Sequence, residues 1–193
     1  MTAKGEIKSA VFVKSSPTIL GVFEDGLPHI AFIGRSNVGK SSTINALTKQ
    51  KGLAKTSGAP GATKQINQFL INNKFYIVDL PGYGFVKGSV GKRDVLHNVI
   101  EAYLSYQYEG EQTIVLIIDG KVGPTADDLD IVQMLEEHNK RIIVAVNKVD
   151  RLKNSELKAQ LNKIQNLIGG HTILPYSAEK KSGIGALWAE VSK

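Results

Sequence analysis

Gly34, Gly39, Lys40 and Ser41 stand at the spacing of a phosphate-binding loop, G-x-x-x-x-G-K-[ST], in the run Gly34-Arg35-Ser36-Asn37-Val38-Gly39-Lys40-Ser41-Ser42. The two glycines let the backbone curl until successive N–H groups point inward and cradle phosphate oxygens. A helix beginning here adds its unpaired N–H groups and the positive end of its dipole. Lys40 is placed to reach β- and γ-phosphates. The Ser41 hydroxyl is placed to ligate Mg²⁺, which takes oxygen ligands and keeps substrate phosphates in its shell. Downstream, Asp79 and Gly82 form Asp-x-x-Gly. The carboxylate there could hold the same ion through water, and the glycine N–H could approach the terminal phosphate. Thr63, following Gly61 after one residue, is the candidate second Mg²⁺ ligand, with Thr56 as its competitor.

Asn147-Lys148-Val149-Asp150 points to the base. A carboxylate at Asp150 can accept two hydrogen bonds from the N1–H and exocyclic amine of guanine. Adenine offers no such pair, and a site built this way rejects the wrong partner by roughly ten-thousand-fold. Asn147 would brace the loop and Lys148 would lie along the base face. The Ala178 N–H, within Ser177-Ala178-Glu179, could meet the guanine carbonyl.

These residues need strand ends to carry them. Residues 29–33 are an apolar run entering the phosphate loop, and a helix is predicted to about residue 48. Residues 67–71 and 75–80 read as a hairpin about Asn72-Asn73-Lys74, delivering Asp79. The runs 113–118 and 141–146 read as strands buried on both faces, the second ending at Asn147. Residues 172–176 form a last strand leading into Ser177. Helical patterns lie between, including one opened by a capping box at residues 125–128. A first strand is predicted over residues 7–13, interrupted by Ser15-Ser16-Pro17. Residues 49–65 are polar and aperiodic, the mark of a functional loop. Strands alternating with helices, with every motif at a strand's carboxyl end, predict an open, mostly parallel α/β sheet with ligand at that edge.

With 193 residues and no linker signal, one domain over residues 1–193 is expected, with a short N-terminal extension to about residue 28. The chain has no cysteine, which excludes disulfides and thiolate metal sites. Residues 1–8 lack a signal-peptide core and no apolar run suffices to span a bilayer, so a cytoplasmic setting is expected. A net charge of +6 suggests an acidic partner. Lys49, Lys51, Lys55, Lys64, Lys87, Lys92, Arg93, Lys180 and Lys181 gather near the loops of the motifs. They read either as a salt-sensitive RNA-phosphate face or as solvated lysines.

The five motifs together resemble the translation-factor class of small GTPases. The phosphate loop and Asp79-Leu80-Pro81-Gly82-Tyr83-Gly84 resemble those of the EngB (YihA/YsxC) family of ribosome-assembly GTPases, as does Pro60-Gly61-Ala62-Thr63. The resemblance implies a Ras-like P-loop G domain, a three-layer α/β/α fold with a mostly parallel sheet and one antiparallel edge strand. It also implies GTP and GDP binding, Mg²⁺-dependent GTP hydrolysis, action on the large ribosomal subunit precursor and its rRNA, and a role in cell division and septation. A monomer without membrane attachment is expected. The chain departs from the family pattern at Asn147, where threonine is usual, and at Ala62, where arginine is usual.

Tyr83 occupies the place of the water-orienting glutamine of Ras-like enzymes, so intrinsic hydrolysis should be slow. A partner could supply the missing group. Alternatively Asn37 could hold K⁺ against the phosphates, as in relatives sharing this asparagine, or it is simply a tolerated loop residue. Arg35 reads as a surface residue rather than an arginine finger. Two further readings are a GTP/GDP-gated scaffold that scarcely hydrolyses, and the G domain of a membrane system.

Overall fold

The computed structural model describes residues 5–22, 25–55, 65–84, 90–106 and 108–193. Seven strands form one sheet in the order β1-β3-β4-β2-β5-β6-β7. They are β1 (Ala10–Ser16), β2 (His29–Gly34), β3 (Ile66–Ile71), β4 (Phe75–Asp79), β5 (Gln112–Asp119), β6 (Arg141–Asn147) and β7 (Thr172–Pro175). The helices are α1 (Lys40–Thr48), α2 (Val90–Ser105), α3 (Ala126–Glu137), α4 (Asn154–Leu167) and α5 (Ile184–Val191).

Alternation along the central strands divides the core. Ala31 and Ile33 of β2, Ile114, Leu116 and Ile118 of β5, and Ile142, Val144 and Val146 of β6 join Ile100 of α2, Leu135 of α3 and Ile164 of α4. The intervening Ile30, Phe32, Val115, Ile117, Ile143 and Ala145 join Ile44 of α1 and Leu187 of α5. Side chains two apart share a face of a strand, so apolar runs must be covered on both sides. That produces three layers, with helices on both faces of the sheet, as the alternation of strands and helices predicts.

β4, β2, β5, β6 and β7 pair in parallel, whereas β3 runs antiparallel to both β4 and β1. The antiparallel strand therefore lies one place in from the edge, and β1 is outermost. The hairpin turn is as the sequence indicates. Asn72 and Asn73 have φ of 52° and 54°, and the Lys74 N–H donates to Ile71 O at 2.9 Å. Positive φ at both central residues gives the turn whose twist matches the strands, and asparagine tolerates it well.

The first strand is displaced from the predicted 7–13. Asn72 Oδ1 accepts from the Lys8 and Ser9 N–H groups, at 2.8 and 3.0 Å, and Asn72 Nδ2 donates to Glu6 O at 2.8 Å. A side chain thus takes the bonds that would have begun the ladder. Ser15 and Ser16, read as a break, remain in the ladder opposite Asn67 and Ile66, with a bulge between Phe12 and Lys14. The strand ends before Pro17, which has no N–H to give.

Residues 49–55 are also more ordered than an aperiodic sequence suggests. Asn45 of α1 accepts from the Ala54 N–H at 2.8 Å and donates to Ala54 O at 2.9 Å. Ala54 is buried. The capping box of α3 forms as predicted, with Asp128 Oδ2 accepting from the Thr125 N–H at 2.8 Å.

Candidate functional site

The phosphate loop joins β2 to α1 at the middle of the sheet, beside the carboxyl ends of β4 and β5. Gly34 has no room for a side chain: a Cβ would stand 2.7 Å from Ile117 O. Gly39 adopts φ +102°, and a Cβ there would lie 2.3 Å from Asn147 Nδ2. Between them, Val38 is buried and Asn37 is exposed with φ 64°. Ser36 donates its N–H to Tyr83 O at 2.9 Å. Ser41 and Ser42 occupy the first turn of α1.

Lys40 and Asp79 are both buried and form an ion pair across the loop. The pair neutralises a carboxylate that burial alone would make costly. One carboxylate and one neighbouring hydroxyl, Ser41, suit Mg²⁺, which is commonly held by one or two protein oxygens plus substrate phosphates and water. Gly82 is buried beside Ser36.

The base-reading segment is tied to this loop. Asn147 Nδ2 donates to Val38 O at 3.0 Å, and Asn147 Oδ1 accepts from the Ala178 N–H at 3.0 Å. The Ala178 N–H assigned to the base carbonyl is therefore engaged by Asn147. Lys148, at φ 64°, donates from Nζ to Asn37 O at 2.8 Å and to Asp119 Oδ2 at 2.6 Å. Burial pushes the Asp119 carboxyl up, but the bond and charge of Lys148, with the Lys121 and Val122 amides, outweigh this and hold it below its ordinary value. Asp150 lies exposed in a helical turn, Val149–Arg151. Ser177 is wholly buried; its Oγ accepts from the Lys180 N–H at 2.9 Å and its N–H donates to Ser182 O at 2.9 Å, so it shapes the loop carrying Ala178. A cavity of about 1050 Å³ brings together Asn37, Gly39, Asn147, Lys148, Asp150 and Ala178.

Tyr83 is turned into the core, 1% exposed, with its hydroxyl on Asp128 Oδ1 at 2.6 Å. Gly61, Thr63 and the competing Thr56, with Lys64 and Lys87, lie outside the described residues, as do the side chains of Lys92 and Arg93. Lys51, Lys55, Lys180 and Lys181 are exposed, whereas Lys49 pairs with Glu6 at 2.9 Å. Two carboxylates escaped the sequence reading. Asp119 ends an apolar run in the same way as Asp79, a signal that could have been used. Asp128 was visible only as a helix cap.

The model of the 50S ribosome-binding GTPase family matches residues 29–148. A probable GTP-binding protein EngB from Clostridium kluyveri is 42% identical over 181 residues, covering 92% of this chain and 91% of its own. The chain belongs to the EngB family of GTPases. Another EngB relative, from Clostridium botulinum strain Eklund 17B, is 45% identical over 157 residues, covering 80% of this chain and 79% of its own. A crystal structure of a probable GTP-binding protein EngB superposes with a TM-score of 0.68 at 29% identity, covering 82% of this chain and 94% of that one. Era in complex with MgGDPNP and nucleotides 1506–1542 of 16S ribosomal RNA superposes with a TM-score of 0.67 at 25% identity, covering 83% of this chain and 54% of that one. As an EngB-family member, the chain is a GTP-binding protein and a GTP-hydrolysing enzyme.

Proposed function

We propose that this EngB-family GTPase binds GTP and GDP with Mg²⁺ in the cavity between the phosphate loop and Asp150, and acts as a nucleotide-gated assembly factor on the large ribosomal subunit precursor. The observation that carries this reading is the Asn147 side chain, which joins the phosphate loop at Val38 to the base loop at Ala178. The N–H groups of Asn37, Gly39, Lys40 and Ser41 receive the phosphates, and Asp150 receives the N1–H and amine of guanine. On nucleotide binding, Lys40 exchanges Asp79 for β- and γ-phosphate oxygens, leaving the carboxylate to Mg²⁺ and its water. Mg²⁺, when bound, supplies positive charge to the phosphate oxygens. Ser41, Thr63 and Asp79 are its proposed ligands, and Asn37 is the candidate for K⁺. Era, solved with a Mg²⁺-bound GTP analogue and an rRNA segment, supports the same ligand classes here.

The exposed Lys51, Lys55, Lys180 and Lys181 are the proposed rRNA contacts, and their binding should weaken steeply with salt. Action in the cytoplasm as a monomer follows from this reading, and a division or septation defect would be its cellular consequence. Among the described residues no helix is long and apolar enough to cross a membrane.

The first test is affinity for GTP, ITP and ATP. ITP lacks the 2-amino group, so it should bind about tenfold more weakly than GTP, and Asp150→Ala should erase that preference. Equal affinity for GTP and ATP would defeat the reading. A second reading, a gated scaffold that scarcely turns over, is favoured by one observation: the Tyr83 side chain packs in the core. Turnover in K⁺ and Na⁺, with and without large subunits, separates the two.

A further inference from the structure

Tyr83 faces two ways. Its carbonyl accepts from the Ser36 N–H of the phosphate loop at 2.9 Å, and Arg35 and Tyr83 form an isolated parallel bridge. Its hydroxyl donates to Asp128 Oδ1 at 2.6 Å, in the first turn of α3. Asp128 is itself 1% exposed, and its other oxygen accepts from Thr125 N–H and Oγ1, both at 2.8 Å. Three donors thus hold the carboxylate in a place where it could not stand alone.

The neighbouring residues have little freedom. A Cβ on Gly82 would stand 3.2 Å from Ser36 N, so the turn lies directly on the phosphate loop. Gly84 adopts φ +80°, and a Cβ there would stand 3.0 Å from Arg35 Nε and 3.1 Å from Asp127 Oδ2. Burial beside Asp128 holds the Tyr83 hydroxyl far above its ordinary pKa, so it remains a donor.

We propose that Tyr83 is a positioning residue for GTP hydrolysis: its hydroxyl bond to Asp128 seats Gly82 against the phosphate loop, setting the Gly82 N–H for the γ-phosphate. The inference rests on the reading of Lys40, Asp79 and Gly82 as the γ-phosphate seat. A tyrosine suits the task because its rigid ring reaches α3 with only two torsions to fix. The residue in the glutamine position therefore acts through the backbone it anchors, and not by orienting water. GDP has no γ-phosphate and makes no demand on Gly82, so the effect must fall on GTP alone.

The experiment compares GTPγS affinity, GDP affinity and single-turnover GTP hydrolysis in the wild-type chain, Tyr83→Phe and Ile164→Val. Phenylalanine keeps the ring and removes only the hydroxyl; valine at 164 trims one methylene from the core beneath α4 and leaves every hydrogen bond of Asp128 in place. Tyr83→Phe should lose about tenfold in GTPγS affinity and in hydrolysis rate, with GDP affinity within about twofold of wild type. Ile164→Val should lower stability while leaving the GTPγS-to-GDP affinity ratio unchanged. An unaltered ratio in Tyr83→Phe, an equal loss of both nucleotides, or an equal ratio shift in Ile164→Val would each overturn the inference. A wild-type chain that binds no guanine nucleotide would overturn the seat itself, and is recognised before any substitution is made.

Discussion

At the scale of single residues, buried polar groups show where the molecule is committed. Asn147 uses its amide nitrogen and oxygen on two different loops, so neither can move without leaving a buried group unpaired. His29, at the start of β2, is a second such commitment. Its Nδ1 meets Tyr103 Oη at 3.1 Å, its ring stacks on Tyr108 at 4.1 Å and meets the Tyr76 edge at 5.6 Å, and its Nε2 is buried without a partner. Burial pulls its pKa from 6.5 down to about 4, against a smaller opposing pull from Asp25. The folded state therefore keeps His29 neutral where the unfolded chain would protonate it. Stability from this residue is complete above pH 6.5 and is lost as pH falls from 6.5 towards 4, by on the order of 3 kcal/mol. Urea unfolding across that range should show the decline in the wild-type chain, and His29→Phe should flatten it.

At the scale of elements, the loops that follow strands are held by side chains from neighbouring elements. Asn45 closes both backbone bonds of Ala54, so residues 49–55 are fastened to α1 although no apolar period marks them. Asn45→Ala should destabilise the protein by about 2 kcal/mol, and amide exchange at Ala54 should rise in step. This fastening also explains what the sequence could and could not reveal. The phosphate loop, the hairpin turn at Asn72-Asn73 and the cap at Thr125 are local patterns, each closed within a few residues, and they stand where the sequence places them. The partners of Tyr83 and Lys148 are Asp128 and Asp119, 45 and 29 residues away, and no periodicity links them. The start of β1 departs from the predicted 7–13 for the same reason. Its first bonds go to a side chain 64 residues distant, which no strand pattern encodes.

At the scale of the whole molecule, both ammonium groups of the site, Lys40 and Lys148, are occupied by the protein's own carboxylates. The fold thus closes its charges internally, and nucleotide must exchange at least the Lys40 pair. A ligand that binds only the folded state stabilises it by mass action. GDP with Mg²⁺ at one hundred times its dissociation constant should add about 2.7 kcal/mol. For a chain of this size that raises the thermal midpoint by about 5–10 °C, readable by calorimetry. ATP at the same concentration should leave the midpoint where it is.

The N-terminal segment reaches this site from the far side. Trp188 of α5 donates from Nε1 to Gly5 O at 2.9 Å, lies 5.8 Å from the Phe75 ring, and lines the same cavity as Asn147 and Asp150. It is the chain's single tryptophan. Its emission therefore comes from one place, at the junction of that segment with the cavity. The unlabelled protein carries its own optical probe, whose colour and quenching follow both the filling of the cavity and the loosening of the segment across it.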